Sequence, residues 1–222
     1  MNMNERRLTR RESRDLTRVK LLEAAERVFV RAGFDGASVE QIAAEAGFSR
    51  GAFYSNFKSK DGIFLELLDK KSAETQNAVR AIFQKKRDAQ ERFQGARDWY
   101  AEQWKQQTWI VLKTEFHLRA LRERGLRTSL RDLRRQEVEA YSALLVEYFS
   151  EAGLKPAESP RTIAASLLAA AQGFGMLSLP GGDAALEKTI AKSRVLTFDR
   201  LVPRPPERAR RAKPDRKERG NS

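Results

Sequence analysis

The chain has 222 residues, which is enough for one large or two small domains with a hydrophobic core. Lysine and arginine number 43 against 30 acidic residues, so the formal net charge is +13. This charge favours a polyanionic partner, either nucleic acid or an anionic membrane surface. The lack of cysteine and the single histidine exclude disulfides, thiolate nucleophiles and the histidine or cysteine clusters that bind zinc.

The sequence offers little support for export or for a membrane span. Basic residues at the N-terminus are not followed by an apolar run, so we expect a cytoplasmic protein without a secretory signal. The most apolar segment, 163–179, is shorter than the roughly 20 residues that a spanning helix needs. It is predicted to be a helix packed against protein, with no membrane partner.

The first element in chain order is a helix. Proline is absent from positions 1–155, and alanine, leucine, glutamate, lysine and arginine are abundant, so helix is favoured almost everywhere. Residues 19–32 place apolar side chains at spacings of three and four, which makes one apolar stripe. Gly33 is predicted to end this helix.

Two short helices follow. Ser38 is placed to cap the first of them, and Gln41, three residues later, completes a capping box. Gly47 breaks that helix, and Ser49 is predicted to cap the next one, over 49–55. A helix, a glycine-containing turn and a second helix form the helix-turn-helix pattern, in which the second helix reads DNA.

The rest of the chain is also predicted to be helical. Ser59 starts a helix, and glycine and proline residues separate the later ones. The predicted helices cover 59 to about 80, 88–106, 108–123, 127–152, 160–179 and 183–202.

Residues 21–68 carry a series of short motifs in a fixed register. In order they are L-L-E-A-A, V-F, A-G-F, S-V-E-Q-I-A, A-G-F-S-R-G-A-F-Y and F-K-S-K. In these motifs the sequence resembles the TetR family of bacterial transcriptional regulators, over about the first third of the chain. The resemblance implies an all-α fold: a three-helix helix-turn-helix domain followed by a six-helix regulatory and dimerisation domain.

This interpretation divides the chain into four parts. Residues 1–16 form a basic arm, 17–60 the DNA-binding domain, 61–202 the effector-binding and dimerisation domain, and 203–222 a basic tail. The arm either follows the minor groove of DNA or is simply solvated. The tail has eight basic and three acidic residues and no large apolar side chain, so it is predicted to be disordered.

The helical period separates core from DNA-facing side chains. Phe53 and Phe57 are four residues apart and should face the core with Phe34 and Phe48. The residues left for DNA are Ser38, Gln41, Ser49, Arg50, Gly51, Ala52, Tyr54, Ser55, Asn56 and Lys60.

The expected roles of these residues differ. Arg50 either forks onto guanine, contacts a phosphate or is solvated. Lys60 and the backbone amides at the start of its helix suit a phosphate, and small Gly51 and Ala52 permit close approach to the groove. The family motif implies that Tyr54 contacts a phosphate or a base.

The resemblance also implies an effector site and a dimer interface in the later helices. Candidate pocket residues are Trp99, Gln103, Trp104, Trp109, Glu115, Phe116 and His117, although aromatic residues at such spacings more often belong to an ordinary core. Candidate dimer residues are Ala165, Ala169, Gly173, Leu177, Leu186 and Ile190, and an internal core helix would need the same small residues.

The main functional prediction is a homodimeric repressor that binds a palindromic double-stranded operator and is released by a small-molecule effector. The alternative is a structural DNA-binding protein that marks chromosomal sites and acts through a protein partner. The sequence has no constellation for nucleophilic, metal or dinucleotide chemistry, so neither an enzyme nor a cofactor is expected.

Overall fold

The computed structural model describes residues 9–85, 88–102, 107–178 and 182–206. In these ranges all regular secondary structure is α-helical, which confirms the predicted all-α class. The helices are α1 (Arg10–Gly36), α2 (Val39–Glu45), α3 (Arg50–Asn56), α4 (Lys60–Lys85), α5 (Ala89–Glu102), α6 (Gln107–Arg122), α7 (Arg124–Ala152), α8 (Pro160–Leu177) and α9 (Ala184–Leu201).

Helix α1 begins earlier than the sequence pattern predicted. Thr9 is its N-cap, and its hydroxyl oxygen accepts from the backbone N–H of Glu12 at 3.2 Å. The Glu12 carboxylate accepts from the backbone N–H of Thr9 at 2.7 Å, which completes a capping box. The predicted arm over 1–16 is therefore helical from Arg10 onward, while residues 1–8 lie outside the described ranges.

Glycines end or interrupt the helices at three places. Gly33 has φ +74° and interrupts α1, as predicted for the end of the first helix. The chain then returns to helix and continues to Gly36. Gly47 has φ +75° in the turn between α2 and α3, as the helix-turn-helix pattern requires. Gly153 follows α7 with φ +64°.

The described residues form two compact units. The first unit contains 9–75 and 107–137, and the second contains 76–85, 88–102, 138–178 and 182–206. Helices α4 and α7 each contribute residues to both units. The units do not follow the predicted boundary between residues 60 and 61, because the start of α4, all of α6 and the start of α7 pack with the helix-turn-helix.

An aromatic cluster lies at the centre of the first unit. Phe29, Phe34, Phe64 and Phe116 are all fully buried, and their ring centroids lie 4.8–5.6 Å apart in the contacting pairs. Each such aromatic pair adds about 0.5–1.5 kcal/mol beyond the burial of its area. The cluster joins α1, α4 and α6. Buried residues of α2 and α3 belong to the same core.

The second unit has its own core. Phe198 of α9 packs against Phe93 and Tyr100 of α5, with ring centroids 5.6 and 5.5 Å apart. The Tyr100 hydroxyl donates to the Leu167 carbonyl at 3.1 Å, and burial raises the pKa of Tyr100 to about 12. These contacts tie α5, α8 and α9 together.

The first residues of the predicted basic tail belong to this second unit. The Tyr148 hydroxyl donates to the Pro203 carbonyl at 2.9 Å, and Arg204 pairs with Asp199 at 2.9 Å. Residues 207–222, the remainder of that tail, lie outside the described ranges.

Candidate nucleic-acid interface

Helices α2 and α3 have the caps that their sequence predicts. The Ser38 hydroxyl accepts from the Gln41 backbone N–H at 3.1 Å, and the Gln41 side-chain oxygen accepts from the Ser38 N–H at 2.8 Å. The Ser49 hydroxyl accepts from the Ala52 N–H at 3.2 Å. These bonds use acceptors only, so both hydroxyl hydrogens and the Gln41 amide N–H₂ are still available as donors to DNA.

Helix α3 has a buried and an exposed side. Phe53 is fully buried and Phe57 is 5% exposed, and both belong to one core with Phe34, against which Phe48 packs. The predicted inward set of phenylalanines is therefore confirmed. On the opposite side Tyr54 is 48% exposed. Gly51 and Ser55 are also exposed, whereas Ala52 is half-buried.

Arg50 is exposed at the start of α3 and has two neighbours. Its guanidinium lies 3.1 Å from the Glu40 carboxylate and 5.5 Å from the centre of the Tyr54 ring. A side-chain hydrogen bond with Tyr54 and the charge of Glu40 raise the pKa of Arg50. An ion pair between such exposed side chains contributes little to stability, so a phosphate or a base can take the place of Glu40 beside Arg50 at low cost.

Asn56 is turned toward its own helix. Its side-chain N–H₂ donates to the Ala52 carbonyl at 2.8 Å, and the residue is half-buried. Ser55 likewise donates its hydroxyl to the Gly51 carbonyl, at 2.9 Å, but remains exposed. Of these two predicted contact residues, Ser55 is therefore the better placed for a ligand.

Two arginines of α1 hold the C-terminal end of α3. Arg14 donates to the Ser55 carbonyl at 3.2 Å and Arg18 to the Asn56 carbonyl at 2.6 Å. Arg18 also pairs with Glu66 and lies 4.2 Å above the Phe57 ring. The cations thus satisfy terminal carbonyls and complement the negative end of the helix dipole. The sequence pattern did not predict this role for Arg14, in the predicted arm, or for Arg18, because their partners are about 40 residues away along the chain.

Lys60 occupies a different position from the one expected for a phosphate-binding side chain. Its ammonium donates to the carbonyls of Phe34 and Ala37, each at 2.8 Å, and lies 4.6 Å from the centre of the Phe34 ring. Partial burial lowers the pKa of Lys60. The side chain therefore links the end of α1 to the start of α4.

Lys58 is a further cation, absent from the predicted contact residues. It is exposed between α3 and α4, and within the described ranges no carboxylate lies within 4.0 Å of its ammonium. The signal was present in the F-K-S-K motif, whose first lysine closely follows the recognition helix.

The predicted pocket residues divide between the two units. Trp99 packs against the second core and Trp109 against the first, while Gln103 and Trp104 lie outside the described ranges. In the first unit, Phe116 is fully buried and Glu115 accepts from the Phe34 backbone N–H at 2.7 Å. His117 is exposed. Phe116 and Glu115 thus have structural roles in the core beside the helix-turn-helix.

The predicted dimer residues of α8 lie on its exposed side, with Leu177 61% exposed and open space where a Gly173 side chain would be. On α9, Leu186 is 51% exposed, but Ile190 is only 5% exposed and therefore buried within its unit. Leu196, which was not among the predicted residues, is 54% exposed. The exposed predicted residues are Ala165, Ala169, Gly173, Leu177 and Leu186.

The described ranges lack the features of two other kinds of site. In this part of the chain, no group of three or more histidine or acidic residues is arranged to hold a metal ion. Within the same ranges no helix is both long and apolar enough to cross a membrane.

Comparisons with known proteins agree with this geometry. Residues 21–67 match the family described as bacterial regulatory proteins, tetR family. The uncharacterised helix-turn-helix regulator YwcC of Bacillus subtilis is 33% identical over 76 residues, which is 34% of each chain. The repressor AcnR of Corynebacterium diphtheriae is 34% identical over 64 residues, covering 29% of this chain and 34% of AcnR. The activator FasR of Mycolicibacterium smegmatis is 34% identical over 83 residues, covering 37% of this chain and 38% of FasR.

These matches thus span about a third of the length of those relatives, whereas similarity of fold extends further. A putative TetR-family regulator from Rhodococcus sp. has a TM-score of 0.69 at 18% identity, over 85% of this chain and 99% of that one. FadR from Bacillus subtilis, solved with stearoyl-CoA, has a TM-score of 0.54 at 17% identity, over 83% and 97% of the two chains.

The fold and the exposed second helix of the pair define a helix-turn-helix protein. More specifically, residues 21–67 match the helix-turn-helix domain of the TetR family, and the all-helical architecture resembles that of TetR-family structures.

Proposed function

We propose that this protein is a sequence-specific DNA-binding transcriptional regulator of the cytoplasm, acting as a homodimeric repressor that a small molecule releases from its operator. The observation that carries the proposal is the outward side of α3. It presents Arg50 and Tyr54 from a helix whose opposite side and C-terminal end are held by Phe53, Arg14 and Arg18. A rigid short helix with an exposed arginine suits base reading in the major groove.

The proposed DNA contacts follow from the donors on this surface. We assign base reading to Arg50, with Tyr54 and Ser55 beside it, and phosphate contacts to the Ser38, Gln41 and Ser49 donors. The proposed DNA-facing surface of α3 also includes Gly51, Ala52 and Asn56. At Lys60 the backbone N–H at the start of α4, rather than the ammonium, is assigned to phosphate, and Lys58 supplies the side-chain cation.

Selection of binding sites from fragmented genomic DNA with the full-length protein tests this function. We expect enrichment of a palindrome with half-sites about one helical turn apart, since a symmetric dimer presents two α3 helices. Enrichment of one or two promoter sites supports a regulator, whereas many dispersed sites favour the structural alternative. If no sequence is enriched over input DNA, the proposed function is wrong.

The homodimer is proposed from the exposed apolar side of α8 and α9. Leu177 and Leu186 are both more than half exposed, and small residues on α8 allow a second helix to approach closely. A partner copy would bury these side chains at about 25 cal/mol for each Å² of apolar surface.

The effector is proposed to bind in the second unit. Arg194 is 2% exposed there and donates to the Ser178 hydroxyl at 2.6 Å, so this unit contains a buried cation. An anion with an apolar part would suit a buried cation, and stearoyl-CoA, which is bound in the FadR structure, is a first test compound. Release of labelled operator DNA on addition of a compound, with a matched change in tryptophan fluorescence, would support an effector; release without binding to the protein would contradict it.

A further inference from the structure

A second basic surface lies in the first unit, outside the helix-turn-helix. Residues 119–135 contain seven arginines against two acidic residues. Four of these arginines are exposed at the end of α6 and on the first part of α7, namely Arg122, Arg124, Arg127 and Arg131. They are called the α6–α7 arginine surface below.

Carboxylates neutralise the other arginines of this segment. Arg119 pairs with Asp61 and Glu123 at 2.8 and 2.9 Å. Arg134 pairs with Glu137 at 2.7 Å, and Arg135 with Asp132 at 3.3 Å. For the four arginines of the α6–α7 arginine surface, by contrast, the described ranges hold no carboxylate within the 4.0 Å of an ion pair.

Elsewhere in the same unit, cations of α1 and α4 also have carboxylate partners. Arg27 and Arg31 share Glu45, and Lys71 pairs with Glu26 at 2.7 Å. The α6–α7 arginine surface therefore departs from the pattern that these other cations of the described unit follow.

The arginines of the α6–α7 arginine surface do not stabilise α7. Residues 124, 127 and 131 fall on one side of the helix, opposite Leu133, which is buried in the core. Like charges three or four residues apart destabilise a helix by a few tenths of a kcal/mol. The positive end of the helix dipole lies at the N-terminus, where α7 has no acidic residue in its first turn and begins with Arg124.

A salt bridge links α6, which carries Arg122, to the start of α4 beside the helix-turn-helix. Arg119 of α6 contacts Asp61 in the first turn of α4, three residues after the exposed Lys58. Arg122 is three residues beyond Arg119, so the two share a side of α6 and lie about one turn apart. A polyanion that contacts Lys58 can therefore continue toward α6 and α7.

We propose that the α6–α7 arginine surface binds the phosphate backbone of DNA beside the site that α3 reads. It supplies affinity without sequence preference, because arginines that contact phosphates release counterions whatever the bases are. This inference rests on the proposed function, since the helix-turn-helix must first place the DNA.

A triple variant, Arg122→Gln, Arg124→Gln and Arg131→Gln, tests the surface. Arg127 is left unchanged because it donates to the Leu121 carbonyl and so helps to hold the end of α6. The matched control removes three exposed cations of the second unit, Arg80→Gln, Lys155→Gln and Lys188→Gln. Equal thermal unfolding of both variants and the wild type establishes that all three are folded.

Affinity is measured on 40-base-pair duplexes, one carrying the selected palindrome and one with shuffled sequence, at several salt concentrations. The triple variant should bind both duplexes at least about ten-fold more weakly at low salt. Its plot of log affinity against log salt should be shallower by about 0.9 for each phosphate that the variant no longer neutralises. The control should retain the wild-type slope.

Three outcomes overturn the inference. If the triple variant keeps the wild-type slope of log affinity against log salt, the surface does not contact DNA and would have to bind another polyanion, such as an acidic protein. A loss of affinity confined to the palindrome means that these arginines read bases. A loss of equal size in the control means that total charge, not this surface, sets the affinity. Failure of the wild type to prefer the palindrome would instead contradict the proposed function, so the two failures are distinguishable.

Discussion

At the scale of single residues, two neighbouring lysines have opposite roles. Lys60 is half-buried and its ammonium donates to two backbone carbonyls, whereas Lys58 is exposed beyond the end of α3. The sequence pattern placed Lys60 at a helix start and predicted that it would contact phosphate. It could not reveal that carbonyls 23 and 26 residues earlier lie within reach of the ammonium.

This difference predicts opposite effects for two matched variants. Lys60→Met keeps the apolar stem but leaves two carbonyls without their donor, so we expect a loss of about 1–3 kcal/mol in the free energy of unfolding, measured by urea denaturation. Its salt dependence of DNA binding should not change. Lys58→Met should leave stability unchanged and reduce the salt slope by about one. If Lys58→Met lowered the stability and Lys60→Met reduced the salt slope, the roles given to these two lysines would be wrong.

The capping residues show what local sequence predicts well. Ser38, Gln41 and Ser49 make the cap bonds that their spacing indicates, because a capping box involves only residues within one helical turn. Thr9 and Glu12 form the same kind of box, so the early start of α1 was predictable from the sequence in principle. The roles of Arg14 and Arg18 were not, because their partners lie on α3.

At the scale of helices, the periodicity of apolar residues predicted the helix bounds closely, but it predicted less well which side of a helix is buried. The predicted helix 160–179 corresponds to α8 and 183–202 to α9. Ile190 was assigned to an outer surface with Leu186, but Ile190, Arg194 and Phe198 form the buried side of α9. Leu186 lies four residues before Ile190, on the same side of α9, yet it is in the first turn and is 51% exposed. Local spacing shows which side of a helix a residue lies on, but not how far along the helix that side is buried.

The packing of α4 against α5 leads to a second prediction. A Cβ added at Gly95 of α5 would lie 2.6 Å from the Ile82 side-chain methyl carbon Cγ2 in the second unit. Because isoleucine is branched at Cβ and stiff, Gly95→Ala should force the helices apart at a cost of about 1–3 kcal/mol, only partly offset by the better helix propensity of alanine.

Thermal unfolding checks this packing. Gly125→Ala is the matched control, since a Cβ there meets nothing within 4 Å. We expect a lower midpoint for Gly95→Ala and an unchanged or higher one for Gly125→Ala. A Gly95→Ala protein as stable as the wild type would show that Ile82 can move aside freely.

At the scale of the whole molecule, the fold class and the motif that approaches DNA were predictable because they depend on local patterns. The division into two units was not, because 107–137 pack with the N-terminal helices through contacts such as Phe34 with Phe116 and Glu115 with the Phe34 backbone. Such contacts join residues about 80 positions apart, and no periodicity records them.

The proposed dimer makes a prediction at this scale. Leu186→Glu places a charge at the exposed start of α9, where a partner helix would exclude water, so it should convert the wild-type dimer, of twice 25.3 kDa, to a monomer in sedimentation equilibrium. Val146→Glu is the control, because Val146 of α7 is similarly exposed at 53%. A monomeric wild type, or dissociation by both substitutions, would remove α8 and α9 as the interface.

The central claim is that the exposed side of α3 reads DNA sequence through Arg50, and equilibrium affinities for the selected palindrome and for a shuffled duplex test it most directly. Arg50→Ala should reduce the preference for the palindrome by about 5- to 150-fold, the equivalent of about 1–3 kcal/mol for a base contact. Arg80→Ala, an exposed arginine of the second unit, should leave it unchanged. An Arg50→Ala protein that keeps the full wild-type preference would contradict the account.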